Sequence, residues 1–201
     1  MGAGWRWGRG MKRSLGARTL VFPTPVWVIG SYDAHGRANL MTASWAGVCC
    51  SKPPCVAVSL RKATYTHGCI TARQAFTVNV PAAEQVAIAD YLGTASGRNV
   101  DKVAACGLTP VPSGLVDAPY VAEVAMVLEC RVVRTVEIGS HTQFIGEIVD
   151  VKVDESALAE NGLPAMENIR PLVYAPELRR YYAVGGVVTE AFKAAATVAR
   201  K

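Results

Sequence analysis

The feature that most constrains the fold is a pair of long β-type runs joined by a two-residue turn. In Val124 to Ile138, residues Met126, Leu128, Cys130 and Val132 alternate with Val127, Glu129, Arg131 and Val133. Gly139-Ser140 turns the chain, and His141 to Val153 runs back with its own alternation, interrupted by Gly146. A period of two is the mark of a strand. Two adjacent strands of this length suit a barrel, where strands curl and bulge at glycine positions.

Earlier segments supply shorter strands and inserted helices. Val26 to Tyr32 is an apolar strand, Asp33-Ala34-His35-Gly36 has turn chemistry, and Arg37 to Met41 returns as the second arm of a hairpin. Pro53 and Pro54 make Cys49 to Pro54 read as a loop, since proline cannot donate to a ladder. Cys55 to Leu60 is apolar enough to be buried on both faces. A helix is expected over Thr66 to Arg73, a strand over Ala75 to Val80, a helix over Ala82 to Leu92 closed by Gly93, and a short helix ending at Cys106. Asp154 to Asn168 is a polar excursion. Pro171 to Tyr174 and Arg179 to Ala183 read as short strands, and Thr189 to Arg200 as an Ala-rich C-terminal helix. Strands early, helices inserted and strands late give a β-rich α+β domain. No βαβ rhythm and no G-x-G-x-x-G after the first strand appear, which argues against a dinucleotide-binding Rossmann domain.

The candidate site is the stretch Asn39 to Thr66. Arg61 and Lys62 supply positive charge directly after a strand, and Thr64 and Thr66 supply hydroxyls. A phosphate needs cations and several donors in one small volume. Thr66 stands where an N-cap would, so its hydroxyl and the free N–H groups of the following turn form an anion site. Upstream, Thr42, Ala43 and Ser44 are small enough for a heterocycle's edge to approach the backbone, and Trp45 can lie against a ring face. Phosphate grip and heteroaromatic rim together suggest a mononucleotide. The same residues also suit an ordinary strand, loop and helix with threonine caps.

Asn39-Leu-Met-Thr-Ala-Ser-Trp45, the K-P-P-x-V-A-V-S-L run ending at Leu60, and R-x-x-T-Y-T-x-x-x-I from Arg61 resemble the FMN-binding split-barrel flavin reductases, and within them the flavoredoxin group. The resemblance runs from about Met11 to about Ala183 with order and spacing kept. It implies an FMN-binding split β-barrel with inserted and C-terminal helices, forming one domain over residues 11–201 behind a leader at 1–10. It implies FMN contacts from Asn39, Met41, Thr42, Ala43, Ser44, Trp45, Ser59, Leu60, Arg61, Thr64 and Thr66. In the resemblance, Lys102 of S-G-R-N-V-D-K returns to the phosphate, and His141 of G-x-H-x-x-F-I-G-E borders the flavin near a donor. A homodimer with FMN near the interface is implied as well, with the long β runs and Tyr181-Tyr182 as contact regions. By the residues alone, Lys102 also suits a solvated surface lysine and His141 a hairpin cap.

Composition narrows the function further. The net charge is +5, of which Arg6 and Arg9 in the leader contribute two, and no long basic run is present. That suits an anionic ligand such as a phosphate or a nicotinamide dinucleotide, not a nucleic-acid face. The six cysteines show no metal spacing and no secreted-scaffold pattern, so a reducing, cytoplasmic setting is expected. No apolar run is long enough for a membrane helix. Ser44 lacks a G-x-S-x-G elbow and the three histidines lack ligand spacing, so neither a hydrolase nor a metal site is expected. Flavin chemistry needs no such constellation, because the cofactor performs it. Two classes remain open: an NADH- or NADPH-dependent reductase, and an electron carrier serving a redox protein partner. A pyridoxal-phosphate or flavin-binding relative doing other chemistry is a third.

Overall fold

The computed structural model describes residues 10–194. In chain order its strands and helices are β1 (Thr24–Pro25), β2 (Trp27–Tyr32), β3 (Ala38–Ala43), β4 (Ala46–Ser51), β5 (Pro54–Arg61), α1 (Tyr65–Arg73), β6 (Ala75–Asn79), α2 (Val86–Thr94), α3 (Lys102–Ala105), β7 (Pro110–Pro112), β8 (Pro119–Val121), β9 (Met126–Ile138), β10 (His141–Val153), α4 (Met166–Ile169), β11 (Leu172–Ala175) and β12 (Arg180–Ala183).

The main sheet has seven strands in the order β3-β2-β6-β9-β10-β5-β4. Its two edge strands are consecutive in sequence, separated only by Ser44 and Trp45. A flat sheet of this size would set its edges about 29 Å apart, at about 4.8 Å per strand. The step from Ala43 to Ala46 reaches about 11 Å at most. The sheet is therefore rolled into a barrel, with a seam where β3 and β4 meet unbonded. Register shifts in the β9–β10 ladder, at Ile145/Gly146 and Ile148/Asp150, supply the bends.

Alternation along each strand feeds two cores. Ile29, Val56, Val58, Leu60, Phe76, Val78, Cys130 and Phe144 fill the barrel, together with Ile70 of α1. On the outer face, Val28, Leu40 and Val127 pack with Leu92 of α2 and Val121 of β8. Buried Asn79 ties these layers together. Its amide donates to Val28 O (2.9 Å) and Thr77 Oγ1 (3.0 Å), and its carbonyl accepts from Val121 N–H (2.8 Å). A separate small sheet, β1-β11-β12, lies against α2 through Val26, Leu172 and Ala89.

Three expectations are corrected. Cys49 to Ser51 belongs to β4, because an edge strand pairs on one side only, and Pro53 falls in the turn after it while Pro54 opens β5. Gly93 lies inside α2 rather than ending it. The C-terminal helix does not begin at Thr189, since residues 184–190 are irregular and Phe192 has a left-handed φ of 67°. The rest of that expected helix, and residues 1–9 of the expected leader, lie outside the described residues.

Two glycines test the packing with opposite signs. A Cβ at Gly146 would stand 2.6 Å from Phe76 Cζ and 3.0 Å from Cys130 Cβ, inside the filled barrel. Gly146→Ala should cost about 1–3 kcal/mol by overpacking. Gly68, mid-α1, has nothing within 4 Å of a new Cβ, and Gly68→Ala should stabilise by about 0.5–1 kcal/mol. Urea denaturation of both variants checks the pair.

Candidate functional site

A cavity of about 660 Å³ opens at the seam. Met41, Thr42 and Ala43 at the end of β3, and Ser44 and Trp45 in the link, form one wall. Ser59, Leu60 and Arg61 at the end of β5, Thr64 and His141 continue it. The β5–β10 ladder explains the grouping: His141 stands opposite Arg61, and Gln143 opposite Ser59. Ser59 N–H donates to Trp45 O (2.8 Å), which extends the β4–β5 ladder into the link and fixes it on that side of the seam. Trp45 stays 43% exposed, so an aromatic side chain on the cavity wall is available to a ligand. Thr42 Oγ1 is committed to Ala89 O (2.6 Å), leaving its backbone for any ligand.

Beside this wall, α1 begins with its N–H groups uncapped. Its N-cap is Thr64, not Thr66, and no side chain bonds the cap, nor is there an acid in the first turn. Thr64 Oγ1 donates instead to Arg61 O (2.9 Å). A free helix start on a cavity wall is an anion site by its own dipole. Arg61 is exposed and makes no ion pair among the described residues, whereas Lys62 is paired with Glu137. Thr66 lines neither cavity. It is 1% exposed, and its hydroxyl accepts from Asn39 Nδ2 (2.8 Å), because the first turn of α1 tucks it against β3.

Asn39 and Lys102 line a second, smaller cavity of about 170 Å³, together with Asp33, Arg37, Tyr65 and the 97–101 segment. The pairs Thr64/Tyr65 and Asn39/Met41, and the 94–97 segment, each pass from one cavity wall to the other, so the two adjoin. Lys102 is buried rather than solvated. Its Nζ donates to Leu92 O (3.0 Å) and Ala95 O (3.2 Å), satisfying carbonyls at the end of α2 and leaving one of its three donors. Burial pulls its ammonium down to about 8. Burial alone would raise Asp33, yet the N–H groups of Arg37 and His35, the Arg37 guanidinium and the Tyr65 hydroxyl bring it down to about 2.

His141 is half-buried, with Nδ1 3.0 Å from Ser140 Oγ. The hairpin that carries it is anchored next door. Thr142 Oγ1 donates to Glu137 (2.9 Å), so its 2.8 Å contact with His67 Nε2 must be donated by the histidine. The His67 ring stands edge-on to Phe144, and burial lowers its pKa.

The sequence reading missed the facing wall: Thr19, Asp90, Gly93, Thr94, Tyr174, Arg179 and Tyr181. These come from the N-terminal segment, α2 and the small sheet. Their only sequence signal was the Arg179-Arg-Tyr-Tyr182 cluster after Pro176. The Tyr181 hydroxyl donates to Asp90 (2.9 Å), and burial followed by that carboxylate raises its pKa. Cys50 and Cys55 pair across the β4–β5 hairpin, at the end of β5 remote from Arg61.

Comparison with known proteins follows the same outline. The model of the flavin reductase like domain matches residues 18–185. The fold superposes on the flavoredoxin of Desulfovibrio vulgaris (Miyazaki F) with a TM-score of 0.88 and 55% identity, covering 92% of this chain and all of that one. The flavoredoxin of Methanosarcina acetivorans gives a TM-score of 0.85 and 30% identity over 93% of this chain and all of that one. A ferric-chelate reductase (NAD(P)H) of Archaeoglobus fulgidus is 29% identical over 126 residues, 62% of this chain and 73% of its own length. The matched stretch spans 65%, 84%, 58% and 51% of the first four curated relatives' own lengths. Seven rolled strands, an open seam and a match over most of the chain place it in the flavin reductase-like family, a split-barrel group that includes the flavoredoxins.

Proposed function

We propose that the chain is an FMN-binding oxidoreductase that takes electrons from NADH or NADPH and passes them on through FMN bound at the seam. The observation that carries this is the meeting, on one cavity, of an aromatic seam and an uncapped helix start. A flavin mononucleotide needs both, one for its ring and one for its phosphate. The likeness to two flavoredoxins and to a reductase named for NAD(P)H supports the same reading. When bound, FMN accepts hydride from a dinucleotide and gives up electrons singly or in pairs.

The chain's own residues bind and orient. Met41 to Trp45 and Ser59 to Leu60 hold the ring, through backbone groups at the seam and the face of Trp45. Arg61, Thr64 and the α1 start hold the phosphate, with Asn39 and the spare donor of Lys102 reaching it from the adjoining cavity. Thr66 acts behind Asn39, setting its orientation rather than touching the ligand. His141, the one cavity-wall histidine, offers a ring N–H to the flavin edge or the incoming donor. The whole of residues 11–201 acts as one domain in this reading, in a cytoplasmic, homodimeric protein. Exposed Val48, Val133, Ile138 and Val151 on the barrel suit burial by a second copy.

A second reading, a flavoredoxin-like carrier that exchanges electrons with a redox protein, is favoured by the 55% identity to a flavoredoxin. Tight retention of FMN with no reduction by either dinucleotide would select it. Weak retention with rapid reduction would instead select a reductase that releases reduced flavin.

Two titrations test the placement. Trp45→Ala should weaken FMN and riboflavin alike, each by about 1–2 kcal/mol, because the indole meets the ring and not the phosphate. A loss confined to FMN would remove Trp45 from the ring. The pH dependence tests Lys102. Its folded pKa near 8 lies below the ordinary 10.5, so above pH 8 it is neutral and must take up a proton to face a phosphate dianion. FMN affinity should therefore fall as pH rises through about 8, while riboflavin affinity stays level. Parallel curves would take Lys102 off the phosphate.

A further inference from the structure

Within the flavin reading, the facing wall of the larger cavity has no task. Its one cation is Arg179, which makes no ion pair or side-chain hydrogen bond among the described residues, although acids lie close by. Glu177 is taken by Arg18 (2.5 Å) and by Thr19, whose N–H (3.0 Å) and Oγ1 (3.3 Å) both donate to it. Asp90 receives the Tyr181 hydroxyl. The cavity therefore carries two unpaired arginines, Arg61 and Arg179, against one carboxylate that is already engaged.

The backbone that presents Arg179 is unusual. Its φ is 52°, and that of Glu177 is 63°. Non-glycine residues rarely adopt the left-handed region, and keep it where their surroundings over-determine it. Here the surroundings do so. Thr19 and Arg18 pin Glu177, and Leu178 N–H closes the turn on Pro176 O (2.8 Å). On the same cavity, the rings of Tyr174 and Tyr181 pair at 5.3 Å and 46°.

We infer that Arg179 is the anion-recognition residue for the electron donor: a nicotinamide dinucleotide places its pyrophosphate on this guanidinium, beside the Tyr174–Tyr181 pair. A guanidinium forks onto phosphate oxygens with two parallel hydrogen bonds, and the tyrosine faces suit a nucleotide base. The flavin phosphate has its own donors at the α1 start, on the other wall. This assignment rests on the flavin reading and adds the residue that selects the donor.

The test uses FMN-loaded protein and anaerobic stopped-flow reduction by NADH and by NADPH. Arg179→Gln should raise the donor concentration for half-saturation by about tenfold or more, the scale of a lost charge-assisted pair. Arg179→Lys should recover part of it. Arg179→Gly, which suits the left-handed backbone, should lose as much as Arg179→Gln, separating charge from backbone geometry. FMN and riboflavin affinities should stay level in all three. Unchanged donor saturation would overturn the assignment. So would a loss of FMN affinity without a loss for riboflavin, which would move Arg179 to the flavin phosphate. Wild-type protein that binds FMN but is reduced by neither dinucleotide would also overturn it. Wild-type protein that takes up no flavin at all would instead fail the reading beneath.

Discussion

Two residues, Ser44 and Trp45, set the geometry on which the rest depends. They join strands that lie at opposite edges of a seven-stranded sheet. A link that short forces the sheet to close, yet the ladder cannot complete itself across the gap. The result is a barrel with a permanent seam, where β3 and β4 have no ladder to each other and the Trp45 indole stays exposed. Burial elsewhere pays for this opening, through Phe76, Phe144 and the valines of β5 inside and a second apolar layer outside. A site built from such a seam needs no mobile loop, because the barrel itself holds the two edges apart.

Charge is distributed to match. Lys62 is spent on Glu137, Arg37 on Asp33 and Arg18 on Glu177. Arg61 and Arg179 are left on opposite walls of the larger cavity. Lys102 occupies a middle position: it closes the carbonyls at the end of α2, and its lowered pKa follows from that burial. The hydrogen bonds from His67 through Thr142 to Glu137 hold the start of β10 in place, and with it His141. Cation placement and strand closure together make the cavity suited to one end of a ligand that is flat and another that is anionic.

Much of this was legible in the sequence, for identifiable reasons. The β9–β10 hairpin announced itself through long alternating runs on either side of Gly139-Ser140, and the β2–β3 hairpin through the Asp33–Gly36 turn, where Gly36 takes a φ of 77°. Residues 41–45 and 59–64 could be grouped because the chain keeps them close. The facing wall could not. Thr19 and Arg179 are brought together only by the small sheet and by the Glu177 contacts, which join Thr19 and Glu177 across 158 positions of chain. Thr66 was misjudged because a threonine near a helix start suggests a cap, whereas the half-turn offset to Thr64 sends its hydroxyl inward to Asn39. By the residues alone Lys102 suited a solvated surface lysine as well as a phosphate contact, because no local pattern reveals that the end of α2 will bury it. Strand β4 was hidden by its prolines, which fall just beyond it.

The most direct test of the account is a visible absorption spectrum of purified protein after FMN is supplied, read again once NADH or NADPH is added without air. The account predicts a bound flavin spectrum that survives gel filtration and then bleaches with at least one of the two donors. A protein that stays colourless after exposure to FMN would contradict it, because the seam and the α1 start would then serve some other ligand.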